Sequence, residues 1–181
     1  MRLPHLTSIL RRFARQGDGA AAVEFALVLP LMALVYLGGY EASQATATFR
    51  KLTDTTVELA NVVAQSTSMS ATDVSNAFNA SSQIMAPYST SPLSIVLSEV
   101  STDANNVATV TWSQAFNGTP LVANAAVTMP AGVTSANGSY ILVQTAYVYT
   151  PSVGSGFFGA QTLHDQIIML PRASSSIPYT G

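Results

Sequence analysis

Apolar and polar positions follow two regimes along this chain. Between Ala20 and Tyr40 the only charged residue is Glu24, and most of the rest are apolar. That is the roughly 20 helical residues, at about 1.5 Å rise each, needed to cross a hydrocarbon layer of about 30 Å. Past Glu41 the apolar positions narrow to a stripe. Ala45, Phe49, Leu52, Thr56, Leu59 and Val63 recur at steps of four and three, while Arg50, Lys51, Asp54 and Glu58 fall on the other side. The two stretches predict one helix from Ala20 to about Gln65, roughly 70 Å long. Pro30 lacks an amide hydrogen and is expected to bend it.

After a polar break at 66–70, a short helix is expected with Thr72 as its N-cap and an end near Met85, with Pro87 beyond. The period then changes to two. Residues 93–100, 107–116, 140–149 and 163–170 read as strands. Residues 103–106, Asn117-Gly118 and Asn137-Gly138 have turn chemistry, and 120–138 reads as irregular. The pattern predicts an α+β fold: a long N-terminal transmembrane helix continuing into a head with a short helix and a four-stranded antiparallel sheet in two hairpins. The expected divisions are a leader at 1–19, a membrane helix at 20–40, its extramembrane continuation at 41–66 and an extracytoplasmic head at 67–181.

Charge adds an orientation. Four of the seven basic residues, Arg2, Arg11, Arg12 and Arg15, precede the apolar stretch, which places the N-terminus in the cytoplasm and the head across the membrane. Without residues 1–19 the side chains balance at −5, too acidic for a nucleic-acid footprint. The chain has no cysteine, so neither disulfides nor thiolate metal sites are available and packing alone must hold the head together. Only 9% of residues are charged, as suits a surface that meets other subunits.

Glu24 is costly where it stands. A carboxylate inside a spanning helix costs on the order of 2.5–3.5 kcal/mol on insertion scales unless something pairs with it. Were the chain cut after Gly19, Ala20 would carry a free α-amine at i relative to Glu24 at i+4, on one helical face of the same chain or facing an adjacent one. The stretch G-AAAVEFALVLP, from Gly19 to Pro30, resembles the prepilin-peptidase site of type IV pilin-like proteins, and is similar to the TadE-like pseudopilins of the tight-adherence (Tad/Flp) pilus. Met129-Pro130, the strand ending in Tyr147-Val-Tyr149-Thr-Pro151, and Leu170-Pro-Arg172 resemble that family more weakly. The resemblance implies cleavage between Gly19 and Ala20 and an assembly role for Glu24 beside Phe25, with proline expected at position 30. It also implies a non-enzymatic minor pilin of the bacterial inner membrane with a periplasmic head, able to enter an extracellular pilus used in adhesion. Its implied partners are other Tad minor pilins, the major Flp pilin, the prepilin peptidase and the inner-membrane assembly platform. Asp18, an acid directly before the cut, departs from the basic residues common there.

Other chemistry is sparse. His164-Asp165 are adjacent in a strand and point to opposite faces, so they read as a surface pair and not as part of a hydrolytic set. His5 and His164 do not fall at metal-ligand spacing, and neither a metal nor a cofactor is expected. Glu99 and Asp103 read as solvated residues in or beside a turn. Trp112 and Tyr147 are expected in the core. Phe157 and Phe158, in a glycine-flanked loop at 154–159, are candidates for membrane or partner contact. Two alternatives compete with the pilin reading: an uncleaved membrane-anchored binding or adhesion module, and a secretory signal peptide cut near Ala45-Thr-Ala47.

Overall fold

The structure is a computed structural model that describes residues 18–130, 132–153 and 159–181. Residues 1–17 of the expected leader and the Phe157-Phe158 pair lie outside the described residues. The chain divides into two compact units, with the boundary between Ser43 and Gln44.

Helix α1 (Asp18–Ala64) remains helical across Pro30. In the first unit, every side chain from 20 to 36 is exposed. Leu27 and Tyr36 are each 76% exposed, a distribution that water would penalise and hydrocarbon would not. This stretch is long and apolar enough to cross a membrane.

In the second unit α1 buries Thr48, Leu52, Thr55, Thr56, Leu59, Ala60, Val63 and Ala64. Two of these positions correct the expected stripe: Phe49 is 40% exposed and Thr48 is buried in its place. Thr48, Leu52, Thr55 and Leu59 follow one another at steps of four, three and four, whereas Phe49 lies about 100° round the helix from Thr48. Threonine is tolerated there because each buried hydroxyl bonds the carbonyl one turn back. Thr48 Oγ1 donates to the Gln44 carbonyl at 2.9 Å, Thr55 to Lys51 at 2.8 Å and Thr56 to Leu52 at 2.8 Å.

Helix α2 (Ala71–Ser82) is capped by Ser70, not Thr72. Ser70 has the extended backbone of an N-cap, its Oγ accepts from the Asp73 amide at 3.2 Å, and Asp73 Oδ2 accepts from the Ser70 amide at 3.0 Å. This reciprocal arrangement satisfies two backbone donors. The α-helix stops at Ser82, and a 3₁₀ turn at Gln83–Met85 carries the chain toward Pro87.

Strands β1 (Leu93–Thr102), β2 (Ala108–Phe116), β3 (Ser139–Tyr149) and β4 (Gln161–Met169) form an antiparallel sheet in the order β2-β1-β3-β4. The two expected hairpins are thus joined through β1 and β3. One sheet face packs on the helices, where Leu93, Ile95, Leu97, Trp112, Ile141, Val143 and Tyr147 cluster with Leu52, Leu59, Val63 and Phe78. A buried hydroxyl pair, Thr56 and Thr145 at 2.7 Å, ties α1 to β3. The other face carries a smaller cluster of Val100, Ala108 and Leu142 under Leu121, Val127 and Met129.

The stretch 120–138 is less irregular than expected. The amides of Asn124 and Val127 donate to the carbonyls of Val110 and Ala108, and the Val110 amide donates to Ala125. These bonds lay the segment along the outer edge of β2, covering polar groups that an open strand edge would leave free.

Candidate functional site

Gly19, Ala20, Glu24, Phe25 and Pro30 all lie on the first unit's part of α1. An alanine- and leucine-rich sequence with strong helix propensity holds them there. Gly19 is half-exposed; Ala20, Glu24 and Pro30 are exposed, and Phe25 is 58% exposed. In helical geometry Ala20 and Glu24 are successive-turn neighbours on one face. A positive group at Ala20 would therefore stand beside the Glu24 carboxylate.

In the head, His164 is exposed and Asp165 half-buried, and Asp165 Oδ1 accepts the amide of Gln166 at 2.9 Å. Asp103 is exposed, with Oδ1 accepting the amides of Asn105 and Val107 at 2.8 Å each, which fixes the turn between β1 and β2. Among the described residues no group of three or more His, Asp or Glu side chains is placed to hold a metal ion.

Glu99 overturns its expected place in solvent. It is 2% exposed, and one carboxyl oxygen, Oε1, accepts from Ser139 Oγ at 2.7 Å and from the Ile177 amide at 2.8 Å. Leu93, Ile95 and Leu97 share its parity along β1, so alternation alone points this side chain inward. A bulge between Glu99 and Val100 follows directly.

The Ile177 carbonyl accepts from Trp112 Nε1 at 2.7 Å, and Tyr179 stacks on the indole at 5.6 Å between centroids. The Met69 amide donates to the Pro178 carbonyl, and the Thr180 amide to the Met69 carbonyl. Ile177 is fully buried. The C-terminal segment is thus a strap across the helix-facing core, with Glu99 and Trp112 as its polar anchors. Sequence reasoning placed Trp112 in the core and missed the strap that it holds.

No curated protein and no solved structure matches the chain. Residues 19–60 match the family model described as TadE-like protein, a span that begins at Gly19 and runs through the apolar part of α1 into its packed part. By that match helix α1 is similar to TadE-like, Tad pilus-associated proteins, and its apolar part is a candidate membrane anchor.

Proposed function

We propose that this chain is a non-enzymatic minor pilin of a Tad/Flp-type pilus, cut by the prepilin peptidase between Gly19 and Ala20 and taking part in pilus assembly or initiation. The observation that carries the reading is the family match beginning at Gly19, on a helix that is apolar and exposed around Glu24. Cleavage supplies the missing half of an ion pair. The new Ala20 α-amine, with an ordinary pKa of about 7.7–8.0, is largely protonated at neutral pH and lies one helical turn from Glu24. Pairing within the chain offsets the cost of the carboxylate in lipid. Pairing with the amine of a neighbouring subunit fixes the register of one helix on the next. Flp major pilins end soon after their helix, whereas here a folded head follows, which favours a minor component. The partners are then other Tad minor pilins, the Flp pilin, the peptidase and the inner-membrane assembly platform, with the head in the periplasm.

N-terminal sequencing of the protein extracted from membranes tests the first step. A start at Ala20 is expected, and a start at Met1 in piliated cells would overturn the reading. Glu24→Gln tests the second step. Cleavage should proceed and piliation should fail, and normal piliation by this variant would remove the assembly role.

A further inference from the structure

A cleft of about 460 Å³ opens in the head where the chain leaves β3, lined among others by Gln44, Tyr88, Pro92, Tyr147, Tyr149 and Thr150. Its volume falls within the roughly 300–1,000 Å³ of small-molecule sites. Three separate segments build it: the second unit's first turn of α1, the loop between the 3₁₀ turn and β1, and the end of β3 with the residues that follow it. Three of the chain's seven tyrosines converge there.

The lining is chemically selective. Among the described residues that line it there is no carboxylate, ammonium, guanidinium or imidazole. A divalent cation would find none of the carboxylate ligands it favours, and an anion would find no cation. What remains is ring faces together with hydroxyls and one amide. Tyr147 is 6% exposed and Tyr88 half-buried, and among the described residues neither hydroxyl is engaged by a protein partner. Burial, reinforced by the nearby Tyr88 phenol, raises the Tyr147 hydroxyl above the usual phenol range. It is therefore a neutral donor and acceptor at physiological pH.

We propose that this cleft binds a neutral saccharide unit, with the C–H face of a sugar ring against the tyrosine and proline rings and its hydroxyl rim bonded to Thr150 and the phenols of Tyr88 and Tyr147. Aromatic surfaces with a polar rim match a ligand whose own surface alternates apolar faces and hydroxyl edges. Two sources share that chemistry, the amino sugars of a bacterial wall and the plain hexoses of a surface glycan. The proposal is independent of cleavage at Gly19.

The test is saturation-transfer NMR on the full chain in an uncharged polyoxyethylene detergent, which has neither sugar nor choline headgroups. The probes are an N-acetylglucosamine disaccharide, cellobiose and tetramethylammonium, each at about 1 mM, within the range of weak small-ligand binding. Transfer to at least one disaccharide is expected. Preference for the amino sugar assigns the wall as source, and preference for cellobiose a surface glycan. Tyr88→Ala should weaken binding roughly threefold to tenfold, the loss of one aromatic contact. Tyr88→Phe, which keeps the ring and loses one hydroxyl, provides a second variant with a smaller expected loss should Tyr88→Ala fail to fold. Absence of transfer to both sugars, transfer to tetramethylammonium alone, or sugar transfer undiminished in a folded variant would each overturn the proposal.

Discussion

From residue 20 to 36, α1 exposes every side chain, whereas past Gln44 the same helix buries a stripe that includes three threonines. The first stretch is apolar nearly all round, with Glu24 its one charged side chain, as suits a candidate membrane span in which lipid would offer polar atoms no partner. The second is amphipathic and tolerates hydroxyls on its buried side because each bonds a carbonyl one turn back. Hydrophobicity alone therefore misranks the two: the more hydrophobic stretch contributes least to the packed core. Glu24 in the first and Thr56 in the second show how each solves its polar problem. Thr56 pairs across to Thr145 inside the fold, and Glu24 would gain a positive neighbour from the proposed cleavage after Gly19.

The largest break in this comparison should come from equal truncations on either side. Leu59 is fully buried, so Leu59→Ala is expected to destabilise the head by about 2–5 kcal/mol. Leu27→Ala, at a position 76% exposed, should leave the head's denaturation midpoint unchanged. Trp112 is the sole tryptophan and is buried, so its fluorescence reports head unfolding directly. Equal losses in the two variants would mean that the exposed stretch helps hold the head together, and the contrast would fail.

A smaller effect is expected at Glu99, where a polar group is buried far from any helix carbonyl. Glu99→Ala strands the Ser139 hydroxyl and the Ile177 amide, at about 1–3 kcal/mol for buried groups left unpaired. Glu99→Gln should retain much of this, because both bonds go to one oxygen that the amide can still supply. Hydrogen exchange at the Ile177 amide should accelerate in Glu99→Ala more than in Glu99→Gln. Unchanged exchange in both would show that the strap is held by Trp112 and the Met69 backbone alone.

What was legible in the sequence follows from how local each signal is. The apolar run, the four-and-three spacing of Leu52, Leu59 and Val63, and the four strands are local patterns, and they place the fold class. Gly19 and Glu24 are singled out by a pattern just as local, five residues apart on α1, and their processing and pairing roles belong to the proposal. Phe49 was misplaced because the apolar residue was preferred over Thr48, whose hydroxyl has an internal acceptor. With Glu99, residue type outweighed a strand parity that pointed inward. The strap had no local signal at all, since Ile177 and Glu99 are 78 residues apart. The tyrosine cleft was invisible for the same reason, being assembled from three segments far apart in sequence.

The smallest expected effect is at the α2 cap, where a polar arrangement is satisfied at the surface, with Asp73 exposed and Ser70 half-buried. Ser70→Ala removes the hydroxyl that accepts the Asp73 amide, which costs about 1 kcal/mol in typical caps. The Asp73 carboxyl is held below its usual range, first by the hydrogen bond from the Ser70 side chain and then by that from its backbone amide. Because the folded state lowers this pKa, its contribution is present above the unfolded value of 3.8 and fades as pH falls through the lower folded one. Thermal midpoints of the parent and Ser70→Ala should therefore converge as pH drops from neutrality to below that range, with much of the side-chain hydrogen bond's advantage gone. A gap that stays constant with pH would assign the cap's effect to the hydroxyl alone and remove Asp73 from it.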